Sequence, residues 1–432
     1  MNPAANPSSR FLRDWTIFVA LGLGAAAAFN WFMDPYWIYN SPAIPGVNAI
    51  KTEFAPRVRM AKAHVIQKLK PKAIILGTSR AEVGLSPDHP GWDPQAVPRY
   101  NLGLSGANIY EARRYFQHAH AIQPLKQVVL AMDFFMFNVD YKNQADFDET
   151  RLAVTPDGQP TPNAGGEFAR TLLSLDALNS SLRMLRSQKR EYAELYKTNG
   201  CRDWDHRDPF VVKRGGHRQV FIRSEQEYAK KLWFPAPTYQ YRFTNPETGV
   251  SSFDSYRVIV RTAYRDRIDL RMAILPAHAH LNEALRESGL WTMFEDWKRE
   301  LVKINEEEAA RAKAKPFPLW DFNNFSNWTL EAVPPAGDIS TRMYWFWEAP
   351  HFKRELGDQV LDVVLSPPKI FGNYFFLIHV PITSGNIEPQ LERIRVLEQL
   401  YRETHPDDMK QIKQVTDEAA SLRQQWKAHS LK

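Results

Sequence analysis

A chain of 432 residues with 44% apolar and 24% charged side chains has the composition of a folded globular protein and excludes wholesale disorder. Its formal net charge of +6 is spread over interspersed acidic and basic residues, with no Lys/Arg block, so no nucleic-acid-binding module is expected. The single cysteine, Cys201, excludes an intrachain disulfide, a CxxC redox pair and a cysteine zinc cluster.

Arg10 and Arg13 precede a run from Thr16 to Met33 that carries no charge. As a helix this run is about 27 Å long, close to the hydrocarbon thickness of a bilayer. Basic residues on its short N-terminal side place that side in the cytoplasm. Residues 1–34 are therefore expected to be a signal anchor that crosses a membrane once, with everything beyond Asp34 exported. A cleaved signal peptide is the rival, because an A-x-A pattern occurs within Ala25 to Ala28. The apolar run nevertheless continues through Phe29, Trp31 and Phe32. Residues 35–56 contain PYWIYNSPAIPGVN, whose prolines exclude a regular helix, and read as a membrane-proximal connector.

Residues 57–380 read as an α/β domain. A helix from Arg57 to Leu69 stops before Pro71, and short apolar strands are expected at Ala73 to Gly77, Arg99 to Leu104 and Gln127 to Asp133. A helix from Tyr110 to Ala121 separates the last two. This alternation predicts a parallel sheet with helices on both faces. From about 140 to 254 the rhythm degrades, through the Pro/Gly loop TPDGQPTPNAGG and a helix from Leu172 to Leu195, and the stretch reads as a central insertion. The rhythm resumes with a helix from Ser255 to Arg267, a strand from Ile268 to Leu275, a helix from Trp291 to Ala312 and a strand from Pro316 to Phe322. Residues 381–432 read as a helical tail.

Three places carry residues suited to acyl chemistry. In IILGTSRAEV, Ser79 follows an apolar strand at the start of a helix, where a hydroxyl is presented above the carboxyl edge of a sheet. Ser79 reads equally as a helix N-cap, with Glu82 completing a capping box. In YNLGLSGANIYE, Gly103 and Gly106 bracket a tight turn whose amides can face an anion, or simply a loop that needs glycine. In WFWEAPHFK, Glu348 and His351 stand three apart, suited to a general base and the carboxylate that holds its tautomer. The alternative is a packed histidine and a solvated glutamate. Asp133 and Asp321 end strands and His278 follows one, and all three are candidates to border the same cleft, with an N-cap-like turn as the alternative for Asp321. His278 and His280 have no carboxylate at ligand spacing, so no metal site is expected there, and no cofactor elsewhere. The aromatic cluster from Tyr344 to Trp347 reads as a sugar platform or as packing.

At these three places the sequence resembles the SGNH (GDSL-like) hydrolase superfamily, in style its membrane-anchored alginate O-acetylation branch and related bacterial envelope proteins. The first block, Gly-Asp-Ser, is matched by Gly77-Thr78-Ser79, which makes Ser79 the implied nucleophile. The second-block glycine maps to Gly106, an implied oxyanion donor with the Ser79 N–H. The last block, Asp-x-x-His, is matched by Glu348-x-x-His351. The third block departs: where Gly-x-Asn-Asp is expected, this chain has AMDFFMF, with Asp133 and no Asn, and Asn108 is the candidate replacement donor. An ionised Asp133 would repel an oxyanion, so it is protonated, or faces away, or the hole is incomplete. The loss of one such donor costs about two to three orders of magnitude in rate.

The resemblance implies an SGNH-hydrolase-like (flavodoxin-like) α/β fold and serine-dependent O-acetyl transfer or O-acetyl ester hydrolysis on an envelope or secreted polysaccharide. The implied partners are the membrane, an acylated glycan and components of an export or acetylation complex. The second expectation is a non-catalytic glycan-binding or scaffold component of a polysaccharide export or assembly machine.

Overall fold

The computed structural model describes residues 7–161, 171–189, 194–234, 240–365 and 381–430. Part of the Pro/Gly loop (162–166), part of the helix expected to reach Leu195 (190–193) and the end of the expected α/β domain (366–380) lie outside them. The chain divides into two compact units, Met1–Lys68 with Asp148–Tyr196, and Leu69–Phe147 with Lys197–Lys432. The stretch expected as one insertion is thus shared between the two.

The larger unit holds a five-stranded sheet of β1 (Ala73–Leu76), β2 (Arg99–Asn101), β3 (Gln127–Met132), β4 (Asp269–Ile274) and β5 (Leu319–Asp321). All neighbours pair in parallel, in the order β2-β1-β3-β4-β5. Ile74 lies opposite Tyr100 on one side and Val128 on the other, and Val128 lies opposite Leu270. Every residue of β1 and β3 is buried, as expected of unbroken apolar strands covered on both faces. The strands are shorter than their apolar runs, most clearly at β5. Pro316 and Pro318 have no N–H for a ladder, so regular pairing starts at Leu319.

The helices are α1 (Pro7–Met33), α2 (Val58–Leu69), α3 (Ser79–Gly84), α4 (Ile109–Ile122), α5 (Leu175–Arg186), α6 (Asp208–Lys213) and α7 (His217–Glu227). They continue with α8 (Ser252–Arg265), α9 (Ala279–Glu287), α10 (Trp291–Ala312), α11 (Arg354–Leu365), α12 (Ile387–Thr404) and α13 (Pro406–Ser430). The chain leaves β1 towards β2 and later returns past β1 to β3. Right-handed crossovers therefore send α3 to one face and α4, α8 and α10 to the other. Packing follows that division: α8 lies against α4 and α10, and α11 lies against α3. The reversal between β1 and β3 opens a crevice at their carboxyl ends, the place where such sheets bind ligands.

Two glycines set the α3–α11 crossing. A Cβ on Gly357 would stand 1.7 Å from the Gly84 carbonyl oxygen, and one on Gly84 would stand 1.9 Å from the Phe352 ring. Only backbone without side chains allows that approach, and it draws the segment before α11 onto the helix that Ser79 begins.

In the smaller unit, α1 includes a stretch from Ser8 to Met33 that is long and apolar enough to cross a membrane. Its 26 residues extend about 39 Å. Its last carbonyls are satisfied by side chains rather than water: Phe32 accepts from Asn48 Nδ2 at 2.7 Å, Met33 from Lys51 Nζ at 3.0 Å, and Trp31 from the Ser41 hydroxyl. The Asp34 carboxylate in turn accepts from the amides of Ile38 and Tyr39. The connector is therefore a folded cap on the helix end. Helix α5 packs against it through Asn30, whose amide donates to the Leu172 carbonyl at 2.8 Å and accepts from Ser181 Oγ at 3.0 Å.

Candidate active site

Strand β1 ends at Leu76, and the chain turns through Gly77 into α3. The N-cap of α3 is Thr78, whose hydroxyl accepts from the Arg80 amide. The capping-box role weighed for Ser79 and Glu82 is therefore not the one adopted. Ser79 is the first helical residue, half-exposed, and its hydroxyl is left to other partners.

That partner is His351, with Nε2 2.8 Å from Ser79 Oγ. His351 Nδ1 lies 2.7 Å from Glu348 Oε1. An ionised carboxylate only accepts, so the imidazole proton sits on Nδ1 and Nε2 is free to accept from the serine hydroxyl. Burial pushes the Glu348 carboxyl up, but the His351 hydrogen bond and the nearby Arg207 charge outweigh it and hold it below the ordinary glutamate value.

The histidine sits on a tight loop closed by its own backbone. The Trp347 amide donates to the His351 carbonyl at 2.9 Å, and Phe346 bridges Phe352. The turn between them is tied down from two directions. Its Ala349 carbonyl accepts from the His278 amide at 3.0 Å, and its Pro350 carbonyl accepts from Arg80 Nε at 2.7 Å.

Asp133 does not border the cleft as expected: its side chain is fully buried. It forms an ion pair with the Arg80 guanidinium and accepts from the Thr78 hydroxyl at 2.5 Å. Arg80 also donates to the Leu275 and Pro276 carbonyls past β4. A carboxylate that read as a liability for an oxyanion is thus neutralised by the residue that follows the serine. The pair links the ends of β1, β3 and β4 to the histidine loop. Sequence reasoning missed Arg80 because its partners lie far off in the chain.

A second group of residues was also missed. Trp204 packs on the His351 ring with centroids 4.9 Å apart. The Arg207 guanidinium lies 3.4 Å from the Trp204 ring centroid and 3.6 Å from Glu348 Oε2. Arg202, Trp204 and Arg207 lie within a stretch read only as irregular insertion, where no periodicity marks them. Arg202 reaches the Ser105 hydroxyl, and Ser105 donates to the buried Glu82 at 3.0 Å, which fastens the Gly103–Gly106 turn to α3.

Gly106 has φ +63, a conformation that favours glycine. Among the described residues, neither the Ser79 nor the Gly106 amide has a hydrogen-bond acceptor. Asn108 is a different matter. Its Oδ1 caps α4 by accepting from the Glu111 amide, and both Nδ2 hydrogens are taken, by the Tyr141 carbonyl and Asn143 Oδ1, each at 2.9 Å. The expectation that Asn108 supplies a donor in place of the missing third-block Asn is corrected by that capping role.

His278 and Asp321 are likewise structural. His278 is buried, donates through Nε2 to the Glu331 carbonyl at 2.6 Å, and caps α9 by accepting from the His280 amide. Burial, together with the neighbouring His280 charge, pushes its imidazole down to about 3, so it stays neutral. Asp321 pairs with Lys298 at 2.6 Å and borders a small cavity of about 210 Å³ that no triad residue lines. In the aromatic cluster Phe346 and Trp347 are buried, and Tyr344 alone is widely exposed. A larger cavity of about 530 Å³ runs beside the start of α4, lined by Asn108, Ile109, Met136 and Tyr141 among others.

The arrangement is a hydroxyl, an imidazole and a carboxylate in one hydrogen-bonded line at the carboxyl edge of a parallel sheet. No protein-family model matches this chain, and a search of curated proteins finds no significant match either.

Proposed function

We propose that the protein is a membrane-tethered serine acyl enzyme that transfers or hydrolyses O-acetyl esters on an envelope or secreted polysaccharide. The observation that carries this reading is the continuous relay from Ser79 Oγ through His351 to Glu348, at 2.8 and 2.7 Å. In the proposed reaction the Ser79 hydroxyl gives its proton to His351 Nε2 as its oxygen adds to the acyl carbonyl. Glu348 stabilises the imidazolium that forms. The Ser79 and Gly106 amides receive the negative charge on the former carbonyl oxygen. Collapse of the adduct breaks the ester bond, and His351 returns the proton to the leaving alcohol. Water then releases acetate from Ser79, or a sugar hydroxyl accepts the acetyl group, with His351 again as base.

The resemblance to SGNH hydrolases supports the reaction class, and the anchor-like α1 with Arg10 and Arg13 supports an inner-membrane protein whose sheet unit is periplasmic. The missing third-block Asn and the capping role of Asn108 favour a second reading, a glycan-binding scaffold in an export or acetylation complex. A chromogenic acetyl ester separates the two: the enzyme reading expects hydrolysis by the wild-type chain and its loss in Ser79→Ala, whereas equal rates favour the scaffold.

A further inference from the structure

Helix α5 is built inside out. Its buried positions are small or polar, Ala177, Ser180 and Ser181, with Met184 the one large apolar side chain among them. Its leucines face outward instead: Leu175 is 76% exposed, Leu182 38% and Leu185 40%, and Leu173 just before the helix is 54% exposed. Leu175, Leu178, Leu182 and Leu185 recur at helical spacing and form one stripe within an arc of about 80°. A helix on a water-soluble surface has the opposite polarity.

The stripe does not stand alone. Asn30 fastens the α5 segment to the last turn of α1 through Leu172 and Ser181, and the Tyr36 hydroxyl just beyond α1 donates to Asp176 and accepts from Ser180, each at 3.0 Å. The leucines therefore sit beside the end of the apolar α1 surface, which exposes Phe18, Leu21 and Trp31. Arg186 and Lys189 are exposed at the end of the stripe, and Arg183 flanks it while paired with Glu53. Apolar side chains on one face with basic residues beside them mark a helix that lies in a membrane interface.

We propose that α5 is an interfacial helix, its Leu173, Leu175, Leu182 and Leu185 buried in the outer leaflet of the bilayer that α1 crosses. The proposal rests on the reading of α1 as a membrane span. The bilayer is the occupant because the stripe continues the apolar surface of α1 and lies at the depth where that helix ends. The capped connector and α5 then hold the chain against the membrane surface, and the exposed basic residues favour anionic headgroups.

The full-length protein is reconstituted in nanodiscs of phosphatidylethanolamine and phosphatidylglycerol, with an environment-sensitive fluorophore on Leu182→Cys. Phe18→Cys in α1 and Leu400→Cys on the exposed face of α12 serve as references, and unlabelled-site wild type controls for the buried Cys201. The expected result is a blue-shifted Leu182 label quenched by lipids carrying a spin label near the headgroup and a Phe18 label quenched by lipids carrying one deep in the acyl chains, with the Leu400 label unquenched by either. Quenching at Phe18 without quenching at Leu182 overturns the proposal and leaves the anchor intact. A blue shift at Leu182 without lipid quenching also overturns it, and points to a protein surface. Absence of quenching at Phe18 removes the anchor and the proposal together. Leu185→Cys provides the same readout if Leu182→Cys does not fold.

Discussion

The Arg80 guanidinium, one residue past Ser79, donates at 2.7 Å to the carbonyl of Pro350, one residue before His351. The backbone neighbours of the proposed nucleophile and base are thus joined directly, and the same guanidinium neutralises Asp133. Removing its charge leaves a buried carboxylate without a counter-ion. Arg80→Met is expected to lose about 3–5 kcal/mol of stability in urea denaturation. Arg80→Met combined with Asp133→Leu should recover most of that stability, because the stranded charge is gone, while activity stays low because the histidine loop has lost its anchor.

In the proposed mechanism Glu348 holds the Nδ1 proton on His351, which lies 2.7 Å from it. Glu348→Gln keeps the shape but can no longer hold that tautomer as an anion, and the ester-hydrolysis rate should fall by about 10⁴ with little change in stability. Steady-state rates beside thermal melting of the same variant check both halves of this expectation.

The α3–α11 crossing has no room for a methyl group. Gly357→Ala places a Cβ 1.7 Å from the Gly84 carbonyl oxygen, so one helix must move. A loss of roughly 1–3 kcal/mol is expected. Activity should fall further than stability alone accounts for, since the displaced segment carries His351.

A buried ion cluster predicts an alkaline limit to stability. His280 lies 3.0 Å from Glu225 and 3.3 Å from Asp408 at the start of α13. Burial pushes its imidazole down, but the Asp408 and Glu225 carboxylates more than reverse this and raise it to about 9. The folded value exceeds the unfolded one of about 6.5, so the contribution is complete below that pH and disappears as pH rises through 9. The wild-type melting temperature should decline across this window, and His280→Gln should show a flatter profile from a lower starting point.

Much of this architecture was legible in the residues. The apolar runs ending at Leu76 and Met132 form buried parallel strands, because a strand covered on both faces is apolar without alternation. Ser79, Glu348 and His351 stood out by their spacing and their place after or before regular elements. What escaped depends on contacts across the fold. Asp133 read as a misplaced charge because its counter-ion, Arg80, is 53 residues away in sequence. Trp204 and Arg207 lie in a stretch without periodicity, so nothing local marked them as the wall of the site. Asn108 appeared available because the cap it makes on α4, and the Tyr141 and Asn143 acceptors of its amide, become adjacent only when the chain folds.

The most direct test of the central claim is covalent labelling of the full-length protein in detergent with a fluorophosphonate, which reacts with a serine hydroxyl activated by a neighbouring imidazole. One adduct per chain, mapped by mass spectrometry to Ser79 and abolished in His351→Ala, is the expected result. An unlabelled wild-type chain, or an adduct on Ser79 that persists without His351, contradicts the account.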